Sequence, residues 1–292
     1  MKRTLPILLT ICSFIVQAQP SVVRDLPAYN KSDNPVKAAF VSNNKYFFVL
    51  ATMVNEKLQN ELWVSDGTAA GTQLLKSVAG EIIGAETVNN QFIFLTGIYA
   101  ANGNDLVFDV WKTDGSPNGT QLIKQQVAIG KSSQFQHIYR PQNFTMVNNQ
   151  LFFVANGGTN FQQLWKTDGS SNGTVAVKND FDSSNVNTTI TDLVNLNNQL
   201  LFLQRTPTPT NNNSILFTSD GSYSGTKEIL RSSNGNFVDV YLAGTIYNGK
   251  LIFFATDVVH GSELWITDGT ANGTSNFFDV VPGTGSPYTR FI

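Results

Sequence analysis

The chain has almost no cysteine: one in 292 residues, Cys12, and it lies inside an N-terminal leader. With no other thiol, a disulfide framework, a zinc-cysteine site, an iron-sulfur cluster and a cysteine nucleophile are all excluded from residues 19–292. Histidine is nearly as scarce, with only His137 and His260, and neither sits in an HExxH or His-x-His context. No G-x-S-x-G elbow accompanies them. Charge is also sparse, at 14% of residues, with no cluster of Lys or Arg, so nucleic acid is not an expected partner. Beyond the leader, no apolar run approaches the roughly 20 residues of a spanning helix.

The leader itself, MKRTLPILLTICSFIVQA, has a basic start, an apolar run from Leu5 to Val16, and small residues at Val16 and Ala18. This is the pattern of a secretory signal peptide over residues 1–18. The expected product, residues 19–292, is exported to the medium or the cell surface and is not inserted in a membrane. Losing Lys2 and Arg3 takes Lys plus Arg from 19 to 17 against 21 Asp plus Glu, a net charge of −4. What is abundant is Asn, Ser, Thr, Gly and aromatic residues, a composition suited to an all-β domain with many turns.

A repeat organises those residues. Five segments align: ELWVSDGTAAGT from Glu61, DVWKTDGSPNGT from Asp109, QLWKTDGSSNGT from Gln163, ILFTSDGSYSGT from Ile215 and ELWITDGTANGT from Glu263. Their aspartates, Asp66, Asp114, Asp168, Asp220 and Asp268, are spaced near 50 residues, the period of an array of supersecondary units. Between them recur SNNKYFFVLA, VNNQFIFLTG, VNNQLFFVAN, LNNQLLFLQR and YNGKLIFFAT. Asn-Asn or Asn-Gly between β-rich runs predicts a type I′ hairpin, because both central residues need positive φ. One unit then reads as four antiparallel strands, a propeller blade. In LIFFA, residues 251–255, both strand faces are apolar, as expected of a blade covered by neighbours on both sides. The predicted fold is an all-β propeller, or an open segment of one, with about five to six blades.

The four tryptophans, Trp63, Trp111, Trp165 and Trp265, occupy one motif position, with Phe217 in the fourth copy. A position taken only by large aromatics predicts packing between blades. The Asp carboxylate is expected to form an Asx-turn with backbone N–H groups, and the next Gly to take a φ that side chains resist. Calcium is the alternative reading of these turns, but one carboxylate falls short of the six to eight oxygens that calcium takes. No metal and no other cofactor is expected.

These copies resemble the ELWxxDGT repeat, a family of secreted proteins of Bacteroidota and other environmental bacteria. The motif is complete from Glu263, and from Glu61 with Ser in place of Thr. The resemblance implies export and a propeller architecture, often with a C-terminal type IX sorting domain, and it implies no catalytic residues. The middle copies depart from it by Asp109, Gln163 and Ile215 at the leading position. Residues 21–33 resemble a fourth strand with its following loop, and PYTRFI at 287–292 resembles the opening of a further blade, so an incomplete ring or an open arc is expected.

Specificity is expected in the segments between second and third strands, which differ from copy to copy. They read VNEKLQN, GIYAANGNDLVF, NGGTNFQ, RTPTPTNNNS and DVVHGS. Tyr99, Phe108 and Phe161 are the binding candidates there, suited to carbohydrate or a polar protein surface. The favoured reading is a binding module. Its alternatives are a polysaccharide-active enzyme using carboxylates such as Glu56, Glu81, Glu86, Asp105, Asp192, Asp239 or Asp257, and a structural spacer.

Overall fold

The computed structural model describes residues 36–54, 57–100, 105–131, 141–156, 162–178, 188–207, 212–231, 237–279 and 281–283. The leader, the strand-like segment at 21–33, the terminal PYTRFI, Glu56, His137 and Phe161 lie outside the described residues. Among the described residues no helix is long and apolar enough to cross a membrane.

The strands form five four-stranded sheets, each an antiparallel meander in sequence order. Blade 1 is β1 (Val36–Ser42), β2 (Lys45–Val54), β3 (Lys57–Ser65) and β4 (Gln73–Val78). Blade 2 is β5 (Glu81–Val88), β6 (Gln91–Tyr99), β7 (Asp105–Thr113) and β8 (Gln121–Lys131). Blade 3 is β9 (Gln142–Val147), β10 (Gln150–Ala155), β11 (Gln163–Thr167) and β12 (Val175–Lys178). Blade 4 is β13 (Thr189–Leu196), β14 (Gln199–Pro207), β15 (Asn212–Ser219) and β16 (Lys227–Arg231). Blade 5 is β17 (Phe237–Tyr247), β18 (Lys250–Asp257), β19 (Gly261–Thr267) and β20 (Ser275–Phe278). This is an all-β, propeller-type fold with the four strands per repeat that the sequence predicts.

The first hairpin of every blade turns where the Asn pair stands. Asn43, Asn44, Asn89, Asn90, Asn148, Asn149, Asn197, Asn198 and Asn248 all have φ between 47° and 64°, and Gly249 completes the fifth pair at 72°. Two consecutive positive φ values give the I′ turn, whose twist matches that of the strands it joins.

Cores form between blades. Phe47, Val49, Leu62 and Val64 of blade 1 pack on Phe92 and Phe94 of blade 2. Ile93, Leu95, Phe108 and Val110 of blade 2 pack on Leu151, Phe153 and Trp165 of blade 3. Phe152, Val154 and Leu164 of blade 3 meet Leu200, Phe202 and Phe217 of blade 4. Leu201, Leu203 and Leu216 of blade 4 meet Leu251, Phe253 and Trp265 of blade 5. Alternate residues of one strand thus serve two different cores, which explains why these strands are apolar on both faces.

Two expectations need correction. In blades 1, 2 and 4 more than half of the segment between second and third strands is strand: β2 and β3 pair out to Val54 and Lys57, β6 and β7 to Tyr99 and Leu106, and β14 and β15 to Pro207 and Asn212. The cross-strand ladder continues because residues such as Thr52, Leu58, Thr206 and Asn213 find register partners, so only short tips are left as connection. In addition, LIFFA is not closed on both faces. Leu251, Phe253 and Ala255 are buried, while Ile252 and Phe254 are half-buried.

Candidate functional site

The meander decides which features share an end of the fold. The hairpin between first and second strands and the turn between third and fourth strands fall at one end of each blade; the turn between second and third strands falls at the other. The Asn pairs and the Asp-Gly motifs therefore lie together on one rim, and the connections that differ between copies lie on the opposite rim.

On the motif rim each turn is closed by its own hydroxyls. Thr68 donates to Asp66 Oδ1 through its N–H (2.9 Å) and its hydroxyl (2.7 Å). Gly71 N–H donates to Thr68 Oγ1 (2.9 Å), and the Thr72 hydroxyl donates to the Thr68 carbonyl (2.7 Å). Ser65 Oγ accepts from Gly67 N–H (3.1 Å) and, because the Thr72 proton is committed to the Thr68 carbonyl, donates to Thr72 Oγ1 (2.8 Å). The N–H bond to the Asp carboxylate recurs around Asp114, Asp168, Asp220 and Asp268. So does the hydroxyl pair across the turn. The hydroxyl two residues on, followed by the backbone N–H there, holds the pKa of Asp66, Asp114, Asp220 and Asp268 below the ordinary 3.8. The Ser170 hydroxyl does the same for Asp168.

The two glycines have separate reasons. Gly67 and its four counterparts have φ between 85° and 92°, a region that disfavours a Cβ. At Gly71 an added Cβ would lie 2.0 Å from Asp66 Oδ1, so the carboxylate occupies the space a side chain would need. The recurrent Ser or Thr at 65, 113, 167, 219 and 267, and at 68, 116, 170, 222 and 270, was the readable signal for this network. The expectation of a lone Asx-turn missed it.

The aromatic position pairs with a Phe on the neighbouring strand. Phe48–Trp63, Phe94–Trp111, Phe153–Trp165, Phe202–Phe217 and Phe253–Trp265 are register partners. The first four stack with centroids 5.2–6.5 Å apart. Trp63, Trp165, Phe217 and Trp265 are buried. Trp111 is half-buried, donates to Thr96 Oγ1 (2.9 Å) and lies under Lys76 Nζ of blade 1, 4.0 Å from its ring centre.

On the opposite rim, Tyr99 is exposed at the end of β6, as a contact residue must be. Phe108 is not available. It sits within β7, fully buried in the core between blades 2 and 3, because the strand extends four residues further toward the tip than a loop reading allows. At the tip of blade 5, Asp257 Oδ1 accepts from the N–H groups of Val259 (3.0 Å) and His260, and Oδ2 lies 2.8 Å from His260 Nδ1. Burial opposes ionisation of Asp257, but the His260 ring and these N–H groups outweigh it and lower its pKa. The same bond, first among its causes, raises the His260 pKa above 6.5.

Of the carboxylates outside the turns, Asp192 and Asp239 come together. Arg205 Nη1 is 2.6 Å from Asp239 Oδ1 and Nη2 is 3.3 Å from Asp192 Oδ2, so one guanidinium bridges the inner strands β13 and β17. Arg205 also donates to Thr191 Oγ1 (3.2 Å) and to the Val240 carbonyl. Asp239 further accepts from Val240 N–H (2.9 Å), and its bond with Tyr241 raises the tyrosine pKa. Asp192 has φ 56°, at a break in the register between Thr191 and Val194 that turns it out of the ladder. Sequence offered both residues as acids without showing their common partner, which is 13 residues from one and 34 from the other. Among the described residues no group of three His, Cys, Asp or Glu could hold a metal ion.

No protein-family model and no curated protein matches the chain. Solved structures do. A Pyrococcus horikoshii acylaminoacyl peptidase is 11% identical over 85% of this chain and 39% of its own, with a TM-score of 0.43. An oligogalacturonate lyase in complex with manganese is 11% identical over 89% of this chain and 68% of its own, with a TM-score of 0.43. A Penicillium chrysogenum α-L-arabinanase complexed with arabinobiose is 10% identical over 80% and 78%, with a TM-score of 0.40.

Proposed function

We propose that the chain is an exported binding module of the ELWxxDGT repeat kind that contacts a glycan or a polar protein surface through the rim opposite its repeated motifs. The supporting observation is the segregation of the two rims. Groups that recur in every blade are consumed in closing their own turns, whereas Tyr99 and the non-repeating tips stand at the other end, free to differ without cost to the scaffold. An exposed tyrosine offers a rigid apolar face with a polar edge, which suits a sugar ring or a mixed protein surface.

A second reading, a polysaccharide-active enzyme, is favoured by the placement of Asp192 and Asp239 around one arginine on adjacent inner strands. The two readings separate in one experiment. The secreted protein is screened for binding and for reducing-sugar release on a panel of plant and microbial polysaccharides, with Tyr99→Ala and Asp239→Asn alongside. The binding module predicts retention without turnover, weakened by Tyr99→Ala. Turnover that Asp239→Asn abolishes would replace it with the enzyme.

A further inference from the structure

One position of the repeat departs from the scaffold in a way the fold does not call for. The seventh residue after the Asn-Asn or Asn-Gly pair, on the second strand of each blade, is Ala51, Gly97, Asn156 and Thr256 in blades 1, 2, 3 and 5, but Arg205 in blade 4. Four blades are thus built with an uncharged group there. The Arg205 side chain is only 16% exposed, and it donates to Asp239 Oδ1, Asp192 Oδ2, Thr191 Oγ1 and the Val240 carbonyl. Taking one guanidinium and two carboxylates this far out of water is seldom a net gain in stability, so the clamp calls for another use.

What the clamp fixes is Tyr241. Its hydroxyl donates to Asp239, and Arg205 Cζ lies over its ring, 5.1 Å from the centroid. Asp239 is braced in turn, since its Oδ1 accepts from Arg205 (2.6 Å), Val240 N–H (2.9 Å) and Ser214 Oγ (3.4 Å). The tyrosine is therefore held at its hydroxyl and over its ring, yet it stays 51% exposed. Asp192 stands at the same guanidinium with its side chain 35% exposed, turned out of the ladder by its φ of 56° at the register break. Arg205 pairs with Thr189 and Ser214, and Asp239 with Thr256, all toward the ends of their strands that lead to the tips. The cluster thus lies on the side of the fold that carries Tyr99.

We propose that Tyr241 is the floor of a subsite for a neutral sugar ring, with Asp192 as the hydroxyl acceptor and Arg205 and Asp239 as positioning residues. This rests on the glycan-binding reading above and names a site for it. A tyrosine already held in place offers its remaining face to the apolar side of a sugar without the entropy cost of ordering a side chain at binding. The Asp192 carboxylate has acceptor capacity beyond its bond to Arg205 and takes a sugar hydroxyl. Two carboxylates against one guanidinium leave the cluster with a formal charge of −1, which repels uronates and sulfated sugars and favours a neutral ring.

Native affinity electrophoresis of the full-length chain tests this, in gels containing laminarin, galactomannan, xylan or arabinan, with alginate and polygalacturonate as acidic counterparts. A neutral polymer is expected to retard the native chain more than either acidic one. Tyr241→Ala is expected to weaken that retention about tenfold, and Tyr241→Trp to keep it, because stacking needs a ring and not the hydroxyl. Asp192→Ala is expected to weaken it about fivefold, with melting curves showing that each variant is folded. Should Tyr241→Ala fail to fold, Asp192→Ala carries the test, and retention equal to that of the native chain overturns the subsite. Retention that Tyr241→Ala leaves unchanged also overturns it, while the glycan reading stands and passes to Tyr99 if Tyr99→Ala removes the retention. Stronger retention by alginate or polygalacturonate overturns the neutral subsite. If no polymer retards the native chain, the glycan reading falls and the subsite falls with it.

Discussion

Blades 4 and 5 have the same four strands, the same turn chemistry and closely similar apolar patterns, yet they are buried differently. In blade 4, Leu200 and Phe202 pack toward blade 3, and Leu201, Leu203 and Leu216 pack toward blade 5. In blade 5, Leu251, Phe253 and Trp265 pack toward blade 4, and the alternate residues Ile252 and Phe254, with Leu264 and Ile266 on the next strand, remain half-buried or less closed than their blade 4 counterparts. A blade's pattern therefore specifies two interfaces, and in blade 5 the outer one is less closed than in blade 4. The same side chain is closed off in one copy and half-buried in another.

Leu216 and Leu264 make the sharpest test, because they are the same residue at the same motif position. Leu216→Ala is expected to destabilise by about 2–5 kcal/mol through lost burial and a residual cavity. Leu264→Ala is expected to cost only about 1 kcal/mol, the share of burial it has already achieved. Equal costs in urea unfolding would mean that the outer face of blade 5 is covered, and the contrast between the two blades would collapse.

The turns should behave alike in both blades, since their bonds are internal. Gly225→Ala and Gly273→Ala place a Cβ about 2 Å from the carboxylates of Asp220 and Asp268, and each is expected to cost about 1–3 kcal/mol by overpacking. In an Asp220→Ala background the cost of Gly225→Ala should shrink, as a double-mutant cycle would read directly. A cost that persists would place the clash elsewhere.

Acid should act on both turns with the same sign. Folding lowers the pKa of Asp220 and Asp268 below 3.8, so their contribution is fully present above that value and is lost as pH falls through the folded value. Asp220→Asn and Asp268→Asn are each expected to flatten the acid limb of the stability curve below about pH 4. Blade 5 alone adds a group of opposite sense. The His260 pKa is raised above 6.5 by its bond to Asp257, so its contribution is fully present below 6.5 and is lost as pH rises through the folded value. The His260 ring resonances should titrate above 6.5 and return toward it in Asp257→Asn. A titration at 6.5 in the native chain would show that the Asp257 contact is not held in solution.

Much of this was legible in the chain itself. The Asn pairs fix five hairpins, because type I′ geometry is a local matter of φ, and the Asp-Gly motifs fix five turns, because their hydrogen bonds stay within about seven residues. The aromatic column announces itself by never admitting a small side chain. Phe108 was misplaced because the tip sequence GIYAANGNDLVF does not say where the ladder stops; cross-strand pairing with Gly97 decides that. The clamp of Arg205 on Asp192 and Asp239 depends on where inner strands of two different blades come to rest, and no local pattern encodes that distance. Sequence by itself determined the strands, their turns and the period, since each depends on dihedral preference and near-neighbour bonding. Only the tertiary structure decided which apolar faces are closed, which carboxylates meet and which strand ends are buried, because those depend on contacts between residues that are distant along the chain.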